Sequence, residues 1–115
     1  MAKMFVIITK GKDDLNMVNV AMNFSTSSVK NAKATVSFMF LGRGVENLLK
    51  NSNGIKPIAD GINNMKAAGI DVSYCTVSVK GIGINESDLI DGVEPVMGGI
   101  QTAKKVDEGY SIITF

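Results

Sequence analysis

Short, continuous apolar runs, separated by stretches of helical period, constrain the fold of this chain more than any other feature. Met4–Thr9, Thr35–Leu41, Ile70–Cys75 and Tyr110–Phe115 are rich in β-branched and aromatic residues. Such runs suit strands covered on both faces. Between the first two, Leu15, Val18, Ala21 and Met22 share one helical face. Asp13 or Asp14 is placed to cap that helix, and the cluster Ser25–Ser28 is expected to fray it. Gly42-Arg43-Gly44 turns into a short helix over Val45–Lys50. Pro57 opens a further helix, whose buried face is Ile58, Ile62 and Met65 and whose end is set by Gly69. Asn85 or Ser87 opens a helical turn through Leu89. Val93–Val96 reads as a brief strand that Pro95 confines to an edge or a strand end. Gly98-Gly99 leads into a helix through Val106, closed by Gly109. The order βαβα(α)βαβαβ predicts an α/β fold: a mainly parallel sheet of about five strands with helices on both faces.

At 115 residues the chain is expected to form a single domain over 1–115. That length carries a core without disulfides or metals. Twelve basic and eleven acidic side chains leave a net charge of +1. This balance provides neither a nucleic-acid surface nor a polybasic membrane surface. The apolar run near the amino end, Met4–Ile8, is too short for a signal peptide or a membrane span. With one cysteine no intrachain disulfide forms, so a reducing, cytoplasmic setting is expected.

The same count narrows the chemistry. The chain has no histidine, which excludes Ser-His-Asp and Cys-His arrangements. It also argues against the common zinc sites, so neither metal nor cofactor is expected. Cys75 closes the third strand, at the carboxyl end where α/β folds bind ligands. Two readings stay open. If Thr76–Val79 extends the strand, Cys75 alternates with Val77 and Val79 and is a small core residue. If a helix begins near Thr76, Cys75 stands at its amino end, where the backbone N–H groups of Thr76 to Ser78 favour the thiolate, with Lys80 and Lys12 or Arg43 adding positive charge.

Other candidates are weaker. Arg43 and Gly44, in the Gly42-Arg43-Gly44 turn, admit an anion, with Lys10 and Lys12 on the rim. The turn lacks the P-loop Lys-Ser/Thr pair and is not a GxGxxG motif, so a tight strand-to-helix turn with solvated lysines is the plainer reading. Gly98-Gly99 is most simply close helix packing. The seven methionines suit a core. Asp88, Asp91 and Glu94 suit a solvated face.

Taken together, GIDVSYCTVSVKGIGINESDLIDGVEPVMGG and the terminal DEGYSIITF resemble the DsrE/DsrF-like (DsrEFH superfamily) sulfur-relay family, closest to its small single-domain members. The resemblance implies a three-layer α/β/α fold with flavodoxin/Rossmann-like topology. It implies a sulfurtransferase-type carrier that holds sulfane sulfur as a persulfide on Cys75. It also implies a homo-oligomer, trimer or hexamer, with protein donors and acceptors of sulfur. Two departures stand out. Some members carry a second cysteine near the first, where this chain has Ser73 and Tyr74. Thr76–Val79 is also more β-like than the helix the family suggests. Related subunits without sulfur-carrying activity exist, so a scaffold or anion-binding role is the alternative.

Overall fold

The computed structural model describes every residue from Met1 to Phe115. Five strands form one all-parallel sheet: β1 (Lys3–Ile8), β2 (Thr35–Phe40), β3 (Asp71–Cys75), β4 (Glu94–Val96) and β5 (Ser111–Thr114). Their spatial order is β4-β3-β2-β1-β5. The sequence order therefore breaks once, where β5 joins β1. The helices are α1 (Leu15–Ala32), α2 (Ile55–Ala67), α3 (Thr76–Ile82) and α4 (Gly98–Asp107), with 3-10 segments at Lys12–Asp14, Gly42–Leu48 and Glu86–Asp88. No helix is long and apolar enough to cross a membrane.

The two faces of the sheet are unequal. Val6, Ile8, Val36, Phe38, Phe40, Val72 and Tyr74 point to one side. There they meet Val18, Ala21 and Met22 of α1 and Ile58, Ile62 and Met65 of α2 in the main core. Side chains alternate along a strand, so Phe5, Ile7 and Met39 point the other way and form a small second core with Leu41, Val96 and Tyr110. Strand register puts Asp71, Ser73 and Cys75 on this second face too.

Helix α4 belongs to the second face and is turned against its own polarity. Gly98 and Lys105 are its buried residues, with Gln101 and Thr102 half-buried. Ile100 is 66% exposed and Val106 52%. Lys105 fixes this rotation. Its Nζ lies 3.9 Å from Asp71, 3.8 Å from Glu108 and 4.7 Å above the Tyr110 ring. Asp71 in turn accepts a 2.7 Å hydrogen bond from Ser37.

Three local expectations are settled. Thr76–Ile82 is helical, so the strand ends at Cys75. The serine cluster does not fray α1, which runs on to Ala32. Ser25 and Ser28 donate to the carbonyls of Ala21 and Phe24, a back-bond that keeps a hydroxyl compatible with a helix. The helix expected over Val45–Lys50 is a 3-10 segment that starts earlier, at Gly42.

Tyr74 ties the Glu86–Asp88 segment to the core through a 2.6 Å bond from its hydroxyl to Glu86. Burial, then the bond to Glu86 and its charge, push the Tyr74 pKa up to about 12. An unfolded tyrosine ionises near 10. The folded chain thus keeps a proton that the unfolded chain releases, so this stabilisation is full below about pH 10 and is lost as pH rises toward 12. Tyr74→Phe is expected to flatten that part of the alkaline fall. Denaturant midpoints at pH 8 and 11 check this, and an identical wild-type and variant loss between those pH values would count against it.

Candidate functional site

Cys75 is the last residue of β3 and the N-cap of α3, with extended backbone at φ −82° and ψ 117°. Its thiol points to the second face, where α4 begins. A methyl placed on Gly98 would stand 3.0 Å from Cys75 Sγ and 2.9 Å from Leu41 Cδ1. Gly98 is thus a glycine because the sulfur occupies the space beside it. Thr76 Oγ1 donates to Val96 O at 3.3 Å, which pins the start of α3 to the end of β4.

Burial pushes the Cys75 pKa up, but it is outweighed. The Ser78 hydroxyl and the backbone N–H groups of Ser78, Gly98 and Val77 hold the pKa below its ordinary value. The sulfur makes no capping hydrogen bond of ordinary geometry. The donor set draws on the first turn of α3 and the first residue of α4, two segments brought together by the β3–β4 pairing. Such an arrangement favours the thiolate without an imidazole.

The other expected site residues lie apart from the sulfur. Lys80 is exposed in the last turn of α3, away from its amino end, and contributes nothing to the shift at Cys75. Arg43 is exposed and pairs with Asp13 at 3.7 Å and Glu46 at 3.4 Å. Lys12 donates to Asn53 O at 2.8 Å and reaches Asn47 O at 3.5 Å. Burial lowers the Lys12 pKa, opposed in part by Glu46. Gly44 is buried, its N–H donates to Leu41 O at 2.9 Å and a Cβ there would run into the Ile8 carbonyl, so it is closed to an anion. Nearby, Asn47 Nδ2 donates to Lys10 O at 2.8 Å and Gly44 O at 3.0 Å, locking the two loops together. Arg43, Gly44 and Lys12 thus form a structural cluster beside β1 and β2, with Lys10 contributing its carbonyl.

The sequence points to the backbone N–H of Ser78, but neither to its hydroxyl nor to Gly98 as a neighbour of the sulfur. A signal for Ser78 was present: it stands three residues after the N-cap, the position whose side chain reaches back to the cap. In the sequence Gly98 suggests only close helix packing; the partner it packs against is the sulfur itself.

The model of the DsrE/DsrF-like family matches residues 2–115. The chain belongs to that family. No curated protein matches it. Solved structures resemble this DsrE/DsrF-like chain across nearly its whole length. The ychN protein from E. coli superimposes with a TM-score of 0.81 at 17% identity, covering 100% of both chains. The conserved protein of unknown function BT1422 from Bacteroides thetaiotaomicron gives 0.76 at 16%, covering 98% of this chain and 94% of the other. The protein of unknown function MTH1491 from Methanobacterium thermoautotrophicum gives 0.73 at 16%, covering 99% and 98%. At these identities the likeness is one of fold, and it confirms the α/β architecture expected of a DsrE/DsrF-like domain.

Proposed function

We propose that this protein is a sulfur carrier of a reducing, cytoplasmic compartment that holds sulfane sulfur as a persulfide on Cys75. The observation that carries the reading is the convergence of the Ser78, Val77 and Gly98 donors on the only thiol of the chain. In the loading step the Cys75 thiolate attacks the outer sulfur of a donor persulfide, R–S–SH. The donor S–S bond breaks, R–S⁻ leaves with its electron pair, and a new S–S bond forms on Cys75 with the proton kept by the outer sulfur. Nothing is oxidised or reduced overall, and no resolving cysteine takes part. Intact-mass measurement after incubation with a small-molecule persulfide tests this: one added sulfur atom per chain is expected, removable by a thiol reductant.

One observation favours a second reading, a non-catalytic scaffold subunit. Cys75 is only 4% exposed, and the two surface depressions, around Leu49–Ser52 with Asp88 and around Gly69–Val72 with Glu94, lie elsewhere. A chain that never gains sulfur, and whose thiol resists alkylation until unfolding, decides for the scaffold.

The protein is further proposed to act as a homo-oligomer, trimer or hexamer. What supports this is the outward apolar stripe of α4, with Met97, Ile100 and Val106 all more than half exposed. Truncating or charging such a contact centre commonly disrupts an interface. Ile100→Asp is expected to shift the sedimenting species to the monomer mass of 12.2 kDa; a wild type that already sediments as a monomer at micromolar concentration would refute the assembly.

A further inference from the structure

Several helical hydroxyls in this protein are tied to their own helix, and one close to the sulfur is not. Ser25, Ser28 and Thr102 each donate to the carbonyl four residues back, at 2.8, 2.7 and 2.7 Å. Ser78, in α3, makes no such bond. Its oxygen instead accepts the backbone N–H of Gly42 at 2.8 Å, from a turn 36 residues earlier. A hydroxyl has one proton and two lone pairs. With an N–H occupying the acceptor side and no carbonyl taking the proton, the O–H is free to turn to the neighbouring Cys75.

Gly42 is held for this task. Its φ is +57°, a conformation glycine adopts without strain, and nothing lies within 4 Å of where a side chain would start. The residue is a glycine for its backbone conformation, which directs its N–H toward α3. The Gly42-Arg43-Gly44 turn, which in sequence suggests an anion site, thus serves the thiol indirectly.

We propose that Gly42 N–H, Ser78 O–H and Cys75 Sγ form a one-way hydrogen-bond relay that aims the Ser78 proton at the sulfur and holds the thiolate, making Ser78 a positioning residue for Cys75. The relay deepens the sulfur-carrier reading, yet it concerns ionisation and is separable from sulfur loading. No charged side chain acts on the sulfur: its other donors are the N–H groups of Val77, Ser78 and Gly98. Arg43 is paired with Asp13 and Glu46, and Lys80 is exposed in the last turn of α3.

The test is an ultraviolet thiolate titration, read as a difference from Cys75→Ala, which requires no access to the buried sulfur. Ser78→Ala is expected to raise the Cys75 midpoint by about one pH unit, leaving roughly tenfold less thiolate below it. Ser78→Thr, which keeps a hydroxyl, is expected to restore the wild-type midpoint. A midpoint unchanged in Ser78→Ala, or raised equally in both variants, overturns the relay. A measurement on the wild type guards against misfolded variants: the carbon-13 resonance of Ser78 Cβ is expected to titrate together with that of Cys75, and a Ser78 signal indifferent to Cys75 ionisation also overturns it. Sulfur loading is followed in parallel by intact mass. A raised midpoint in Ser78→Ala with a wild type that never loads sulfur sustains the relay and removes the carrier. Normal loading with an unmoved midpoint does the reverse.

Discussion

Cys75→Ser is expected to lose sulfur loading entirely while keeping fold and assembly. The loss is complete because no second thiol exists to take over. The fold survives because serine is close in size to cysteine, and the hydroxyl inherits donors already aimed at that position. The Ser78 hydroxyl and the N–H groups of Val77, Ser78 and Gly98 surround it, so the new oxygen is not left without partners. A buried polar atom with partners costs about 1 kcal/mol or less, against about 1–3 kcal/mol for one without. Intact mass after persulfide treatment and a thermal melt check both halves. A Cys75→Ser chain that still gains one sulfur would exclude Cys75 as the carrier.

The second large effect is expected at Gly44, outside the thiol site. A Cβ there would collide with the carbonyl oxygen of Ile8, a backbone atom that cannot rotate away. That carbonyl already accepts Leu41 N–H at 3.0 Å. The Gly44 N–H donates to Leu41 O at 2.9 Å, and the Gly44 carbonyl accepts Asn47. Gly44→Ala therefore has to lift the whole Gly42–Leu48 segment off β1. Overpacking of this kind costs about 1–3 kcal/mol, a large share of a typical total stability of about 5–15 kcal/mol. Gly42→Asn is the contrasting case. The position is left-handed but open, and asparagine tolerates that conformation, so the cost is expected to stay below about 1 kcal/mol. Chemical denaturation of the two variants checks the ranking, and equal losses would show that space at Gly44 is not the constraint.

How much of this could be read from sequence follows from how local each cause is. Strands β1, β2, β3 and β5 are continuous apolar runs, and burial on both faces writes itself into composition. Helices α1 and α2 carry a regular apolar face for the same reason. The 76–82 segment was open because Thr76, Val77 and Val79 favour strands intrinsically. It is helical because Val79 is buried in the main core and the turn at Gly83 accepts a left-handed φ of 84°. Tertiary contacts override propensity there. The rotation of α4 was not legible, since an apolar stripe ordinarily faces inward. Lys105 reverses it by pairing with Asp71, a residue 34 positions away. Of the candidate site, Cys75 was visible as the lone thiol at a strand end. The Ser78 hydroxyl was not, because its role depends on Gly42 in another loop. The basic residues that looked functional were bound up in local structure instead, with Arg43 neutralised by two carboxylates and Lys12 bonded to carbonyls.

The donors around Cys75 come from two distances along the chain, and this has a consequence for measurement. Those of α3 are adjacent to the sulfur in sequence and persist whenever that short helix does. The Gly98 amide arrives with α4, which is attached through Lys105 and a small second core. Any excursion in which α4 lifts from the sheet removes that amide and uncovers the sulfur together. The rate at which a small thiol reagent modifies Cys75 is therefore expected to report native-state openings of α4, and the only cysteine of the chain doubles as an internal clock for that helix.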